Sequence, residues 1–325
     1  MHGTRTRRNV LLWHVHGSWT ESFVAGAHRY LLPVNDARDE NGRGIAGRNW
    51  PHAVEVTPDE LARCEVDLVV LQRPNEITCA EAMLGRRLGD DVPAVYVEHN
   101  APRPYAVDSE HPVADRRDIP LVHVTAFNHL MWDNGCAPTR IIAHGIPDRG
   151  HLYSGELASA ATMINEPVRR WRTVGADLLS PLSRYSPLDV WGMGTEELNT
   201  DARCVGPITG HGDVSGARVL DVVSRRRVYL HTARWTSLGL SLLEAMSAGM
   251  PVVAVAATMT PLAVPPEAGV VSADLAVLGD ALHHFIGDRD AAAIAGKAAR
   301  DFVLTHHALE RFLDDWARLI EEVCA

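Results

Sequence analysis

The sequence predicts an α/β protein made of two doubly wound domains. Three observations lead there. Apolar runs of strand length alternate with helical patterns from end to end. Those runs are continuously hydrophobic, as parallel strands buried on both faces are. The alternation breaks once, at the Gly-, Pro- and polar-rich segment "HGIPDRGHLYSGELAS" (144–159), and then resumes. A chain of 325 residues is long for one domain and comfortable for two.

In the first half the predicted strands are "NVLLWHV" (9–15), "VDLVVLQ" (66–72), "VPAVYVEH" (92–99), "PLVHVT" (120–125) and "TRIIAHG" (139–145). Helices are expected over 20–30 and over 126–134, the second closed by Asn134 and Gly135. The second series is "AATMIN" (160–165), "PLDVWGMG" (187–194), "RRVYLHT" (226–232), a helix over 238–248, "MPVVAVA" (250–256) and "GVVS" (269–272). From about residue 275 the pattern is helical. The last helix, roughly 305–323, carries Phe312, Trp316, Leu319 and Ile320 at helical spacing. The expected domains are 1–150 and 151–304, with a C-terminal helix over about 305–325 that packs back on the first domain. In such sheets ligands sit beyond the carboxyl ends of the strands, so the residues just after strands matter most.

Composition narrows the function classes. Apolar residues make up 46% and charged residues 22%, as in ordinary globular proteins. No run of eighteen apolar residues exists, so no spanning helix and no integral membrane contact are expected. The start, "MHGTRTRRNVLLWHVHG", has too short an apolar run for a leader peptide and reads as a first strand, which makes the cytoplasm the expected address. A formal charge of -10 argues against a nucleic-acid partner. Basic charge is nearly all arginine, the better fork for phosphate oxygens, with Lys297 the only lysine. Five cysteines with no CxxC pair argue against a disulfide framework or a zinc site. His14 and His16 alternate on the first predicted strand without a third ligand nearby, so no metal is expected.

The stretch "RWTSLGLSLLEAMSAGMPVVAVAAT" (234–258) holds the sharpest signal. Its helix is apolar almost all round and therefore buried, with Ser237 or Thr236 able to cap its start and Gly249 and Pro251 ending it. One narrow polar stripe survives, Ser237, Ser241 and Glu244. A charge in such a helix is costly unless it is used. One reading makes Glu244 a solvated or arginine-paired acid. The other makes it an acceptor for ligand hydroxyls, with the free amides at the helix start turned to a phosphate.

"TSLGLSLLEAMSAGMPVVA" resembles the signature of family-4-type glycosyltransferases of the GT-B fold, two acids with seven residues between them before "EAMAxGxPVV". The resemblance implies two Rossmann-like domains facing a central cleft, the N-terminal one for the acceptor and the C-terminal one for the nucleotide-sugar donor. Glu244 matches the second acid, which holds the nucleotide ribose in that family. Thr236 stands where the first acid falls, leaving a hydroxyl and the amides of Ser237, Leu238 and Gly239 for sugar hydroxyls or phosphate.

Three further matches follow. "HVHGSWTES" (14–22) supplies Gly17 and Ser18 where the family brings backbone close to the donor phosphates. "AVYVEHNAPRP" (94–104) puts His99 after a strand, where the family has a histidine beside the donor sugar; His144 and Gly145 replace its usual Asn-Gly. "INEPVRRWRTVGADLL" (164–179) supplies Arg169, Arg170 and Arg172 for the leaving diphosphate. Arg170 aligns with the family lysine, while the family arginine just after the strand is missing and Asn165 stands nearby. "DVWGMGTEEL", with Gly192, and "RCVGPI" lie where the family holds the base.

The resemblance thus implies a metal-independent transfer of a hexose- or heptose-type sugar from a nucleotide diphosphate, with retention at the anomeric carbon. His99, Arg170 and Glu244 are the expected catalytic group. No cofactor is expected beyond the donor, a GDP- or UDP-sugar with GDP slightly favoured. The acceptor is expected to be a small molecule or an exposed glycan end, and a homodimer is left open as the assembly. Two alternatives use the same fold: a nucleotide-sugar epimerase, and a sugar-nucleotide binder without turnover, to which Thr236 and the missing arginine point. A nicotinamide dehydrogenase fits poorly, because "GMGTEE" (192–197) lacks the third glycine of GxGxxG.

Overall fold

A computed structural model describes residues 6–214 and 216–325. The chain divides into two compact units, residues 1–145 with 309–325, and residues 146–308.

The first unit is a seven-stranded sheet in the order β3-β2-β1-β4-β5-β6-β7. In chain order its elements are β1 (Asn9–Leu12), α1 (Gly17–Val24), β2 (Arg29–Pro33), β3 (Ala53–Val56), α2 (Pro58–Leu61), β4 (Leu68–Leu71), α3 (Asn75–Leu84), β5 (Ala94–Glu98), β6 (Leu121–His123), α4 (Ala126–Met131) and β7 (Thr139–Ile141). Every pairing is parallel. The central strands are buried except at Asn9, which explains their largely apolar composition. The last helix (Leu309–Val323) completes this unit, with Trp316 edge-on to Phe23 and to Trp19 at centroid distances of 4.9 and 5.9 Å.

The second unit is a six-stranded parallel sheet, β10-β9-β8-β11-β12-β13. Its elements are β8 (Leu157–Met163), α5 (Leu179–Leu182) after a 3-10 turn at Ala176–Leu178, β9 (Leu188–Trp191), β10 (Ile208–Gly210), α6 (Gly216–Val223), β11 (Arg226–His231), α7 (Leu240–Ser247), β12 (Val252–Val255), α8 (Thr260–Ala263), β13 (Gly269–Ser272), α9 (Leu275–Gly287) and α10 (Arg289–His306). One face of the sheet packs Leu242, Leu243, Ala245 and Met246 of α7, and the other packs Leu278 and Leu282 of α9.

Both sheets reverse direction beside their first strand, between β1 and β4 and between β8 and β11. At such a switch point the crossover helices diverge to opposite faces and leave a crevice at the carboxyl ends.

The structure corrects several expectations. The helix expected over 20–30 is α1, which ends at Val24, followed by the strand β2, whose Tyr30, Leu31 and Leu32 are buried in the sheet. A short apolar run cannot be assigned to helix or strand by periodicity alone. The strands β3 and β10, of four and three residues, were not anticipated. The helix expected over 238–248 is α7, capped by Gly239 with no side-chain cap, so neither Thr236 nor Ser237 caps it. The last helix starts at Leu309 rather than near 305. His14 and His16 follow β1 rather than lie on it.

Candidate functional site

At the switch point of the second unit two loops meet, one leaving β8 and one leaving β11. Their joining is mostly backbone. The Arg234 and Trp235 amides donate to the Thr173 carbonyl (2.9 and 3.3 Å), and Thr232 Oγ1 donates to the Val174 carbonyl (2.7 Å). Gly175 makes this approach possible. It sits at φ 72°, and a Cβ there would run into the Thr232 carbonyl oxygen.

A carboxylate reinforces the junction. Asp177 accepts from Arg234 Nη1 at 2.6 Å and Nη2 at 2.9 Å, and from Arg172 Nη1 at 3.0 Å. Arg234 Nη1 also donates to the Arg172 carbonyl at 3.0 Å. Burial alone would raise the Asp177 carboxyl, but hydrogen bonds from Arg234 and the charges of both arginines hold it below the ordinary range.

The expected residues of this unit divide by location. Asn165 is exposed just after β8, and its Oδ1 accepts the Met193 amide at 3.0 Å, binding the β8 and β9 loops together. Gly192, at φ 131°, lies so close to Ile164 and Asn165 that a side chain would collide with both. Arg169 is exposed and paired with Glu166, with Nε to Oε1 at 3.0 Å. That pairing holds the Glu166 carboxyl below its usual range. Arg172 is exposed on Asp177, and Arg170 is half-buried. Within the loops after β8 and β11, four arginines (169, 170, 172 and 234) thus stand against two acids (Glu166 and Asp177), which leaves these two loops net positive.

The stripe expected on α7 is not a single surface. Ser237 and Leu238 are buried ahead of the helix. The Ser237 carbonyl accepts from Thr258 Oγ1 at 2.9 Å. Ser241 Oγ accepts from the Tyr229 hydroxyl (3.0 Å) and donates to the Met163 carbonyl (3.2 Å), an internal use. Glu244 and Thr236 are half-buried. Gly239 lies against His231 at the end of β11, where a Cβ would come 2.8 Å from Cε1. Burial pushes the His231 imidazole down to about 4, so it is neutral at pH 7.

The first unit's carboxyl edge is built from rings. His99, after β5, lies 4.3 Å from His16, 5.0 Å from Trp19 and 6.4 Å from His144, centroid to centroid. Its Nε2 is shut off from solvent and meets no hydrogen-bond partner among the described residues. Burial first, then the neighbouring His16 and His144, pushes His99 well below the ordinary histidine range. Gly17 and Ser18, half-buried, open α1 behind His16. A Cβ on Gly17 would come no closer than 3.4 Å to any neighbour, so packing does not demand glycine there. Among the described residues no group of three or more His, Cys, Asp or Glu is arranged to hold a metal ion.

Sequence reasoning missed Arg234 and Asp177. The only sequence hint was an arginine two residues before Thr236; Asp177 lies 57 residues away and shows its role only in three dimensions.

Residues 169–318 match the family model described as glycosyl transferase-like. No curated protein sequence matches the chain. Among solved structures it is similar to a sucrose-phosphate synthase from Thermosynechococcus elongatus at 16% identity and a TM-score of 0.75, covering 97% of this chain and 99% of that one. It is similar to HepE from Anabaena, solved with UDP and glucose, at 13% identity and a TM-score of 0.71, covering 97% and 100%. A glycosyltransferase involved in avilamycin A biosynthesis gives 14% identity and a TM-score of 0.61, covering 98% of each chain. The fold is GT-B, with two Rossmann-like units. Among the described residues no helix is long and apolar enough to cross a membrane.

Proposed function

We propose that this GT-B chain transfers a glycosyl group from a nucleotide diphosphate donor with retention of anomeric configuration and without a metal ion. The second unit takes the donor and the first unit takes the acceptor. One observation carries the donor side: the positive switch-point edge made by the loops after β8 and β11, which leads directly into the uncapped start of α7. Anions are favoured at such a helix start and beside guanidinium groups.

In this reading Glu244 accepts hydrogen bonds from the ribose hydroxyls. Arg170 neutralises the diphosphate, with Arg169 able to join it by sharing or leaving Glu166. The amides of Ser237, Leu238 and Gly239 and the Thr236 hydroxyl hold phosphate or sugar oxygens. The resemblance gives His99 the place beside the transferred sugar, where a neutral ring donates or accepts a hydrogen bond without competing for the phosphates.

The acceptor oxygen bonds to the anomeric carbon as the bond from that carbon to phosphate oxygen breaks. The acceptor proton passes to a phosphate oxygen, and the nucleoside diphosphate leaves. Stabilising that leaving charge is the main catalytic contribution asked of the arginines and amides. HepE was solved with UDP and glucose, which makes UDP-glucose the first donor to try, with a GDP-sugar second.

Thr236 and Asn165 favour one second reading, a sugar-nucleotide binder without turnover. Incubating the protein with each donor and a panel of small-molecule and glycan acceptors separates the two. Transfer predicts acceptor-dependent release of nucleoside diphosphate and an α-linked product from an α-linked donor. Binding with no release at any acceptor concentration supports the binder and contradicts transfer.

A further inference from the structure

We infer that Arg234 is a diphosphate ligand of the donor site and that Asp177 is the residue that positions it. The inference rests on the donor reading above and extends it to two residues that neither the fold nor the family match assigns.

A guanidinium group carries five N–H donors. Asp177 takes the end-on fork, one hydrogen from each Nη of Arg234, at 2.6 and 2.9 Å. The second Nη1 hydrogen goes to the Arg172 carbonyl at 3.0 Å. The side-on fork, Nε–H with the outer Nη2–H, meets no acceptor among the described residues. The Arg234 side chain is 27% exposed, so it is neither sealed in the core nor loose in solvent.

A purely structural strap would not need that fork. The backbone already joins the two loops through Thr173, Val174 and Thr232. What Asp177 adds is orientation: a planar cation fixed on one edge presents its other edge in one geometry, which matches two oxygens of a phosphate. Asp177 also carries Arg172, so the trio of two guanidinium groups and one carboxylate keeps a net positive charge. The same loop runs from Arg234 into Gly239 and the uncapped amides of α7, five residues on. A guanidinium fork and a helix start on one short loop, at a topological switch point, form an oxyanion site.

The terminal phosphate of the nucleoside diphosphate is the assigned occupant. The test is calorimetric titration of wild type, R234A, R234K and D177N with UDP and UMP and with GDP and GMP, alongside UDP-glucose and UDP-glucuronate. Thermal melts check that each variant is folded. The expected result is that R234A weakens diphosphate binding at least about tenfold while monophosphate binding moves by less than about twofold. R234K, with charge but no fork, recovers only part of the loss. D177N shows the same selectivity at smaller size, because the guanidinium remains but is no longer fixed.

Equal losses for mono- and diphosphates, or no loss in any variant, would overturn the assignment while leaving the donor reading intact. A loss confined to UDP-glucuronate would place a carboxylate on the fork and overturn it as well. A wild type that binds no nucleoside diphosphate removes the donor reading and this inference together.

Discussion

The two units share a six-strand order, to which the first adds a seventh strand, and differ in what their carboxyl edges are made of. In the first, imidazole and indole rings meet, and burial keeps His99 uncharged. In the second, guanidinium and carboxylate groups meet, with an excess of arginine. A parallel sheet with a switch point fixes where a ligand goes but not which one. The loops decide that: neutral rings suit a hydroxylated acceptor or a sugar face, and fixed cations with helix amides suit a diphosphate.

Substitutions that strike one edge and spare the other test this contrast. The largest effect is expected from Gly175→Ala. The new Cβ cannot coexist with the Thr232 carbonyl, and the left-handed backbone adds strain. A loss of about 3 kcal/mol is expected, read as a fall in the melting temperature with loss of nucleotide binding. A variant that melts like the parent would show that the two loops need not approach so closely.

Next comes Glu244→Ala, which should weaken nucleotide binding by about ten- to a hundredfold with the fold intact. His99→Ala should do the reverse, slowing turnover by about tenfold or more while donor affinity barely changes. Measuring Kd and kcat for both variants shows whether the edges divide the work. Like effects from both would erase the distinction.

Acid should affect both units. His123 in the first and His231 in the second are held at about 4, His123 and His231 both by burial. The unfolded chain has ordinary histidines near about 6.5. Between those values the unfolded state binds more protons, so stability falls as pH drops from about 6.5 toward 4 and levels off below. Denaturant midpoints across pH 4–8 check the sign, and His231→Gln should reduce the slope. The smallest effect is expected from Gly17→Ala. Its stability should match the parent within about 0.5 kcal/mol, since nothing crowds the new methyl group. Any loss of turnover there would report on ligand approach.

Much of the fold was legible in the sequence because buried parallel strands are written as apolar runs. "NVLLWHV" and "MPVVAVA" needed no partner to be recognised. "RYLLP" did, because it follows a helix closely and its three apolar residues continue that helix's pattern. "AVEV" and "ITG" are too short to show a period. The placement of Glu244 on a helix after a strand was likewise readable. The fate of its stripe was not, since Ser241 turns to Tyr229 and Met163 from other strands. The arginine run reads as a cradle for the leaving diphosphate, whereas Glu166 and Asp177 hold two of its members. Local pattern records which residues face inward. Pairings across 57 residues, such as Arg234 with Asp177, are recorded only in the fold.

The central claim is that the second unit's edge takes a nucleoside diphosphate without a cation. The direct measurement is titration of chelator-treated protein with UDP and GDP, parent beside Glu244→Ala. Saturable binding of at least one diphosphate by the parent, weakened about tenfold or more in the variant, is the predicted result. No binding at millimolar ligand, or equal binding by both proteins, would contradict it.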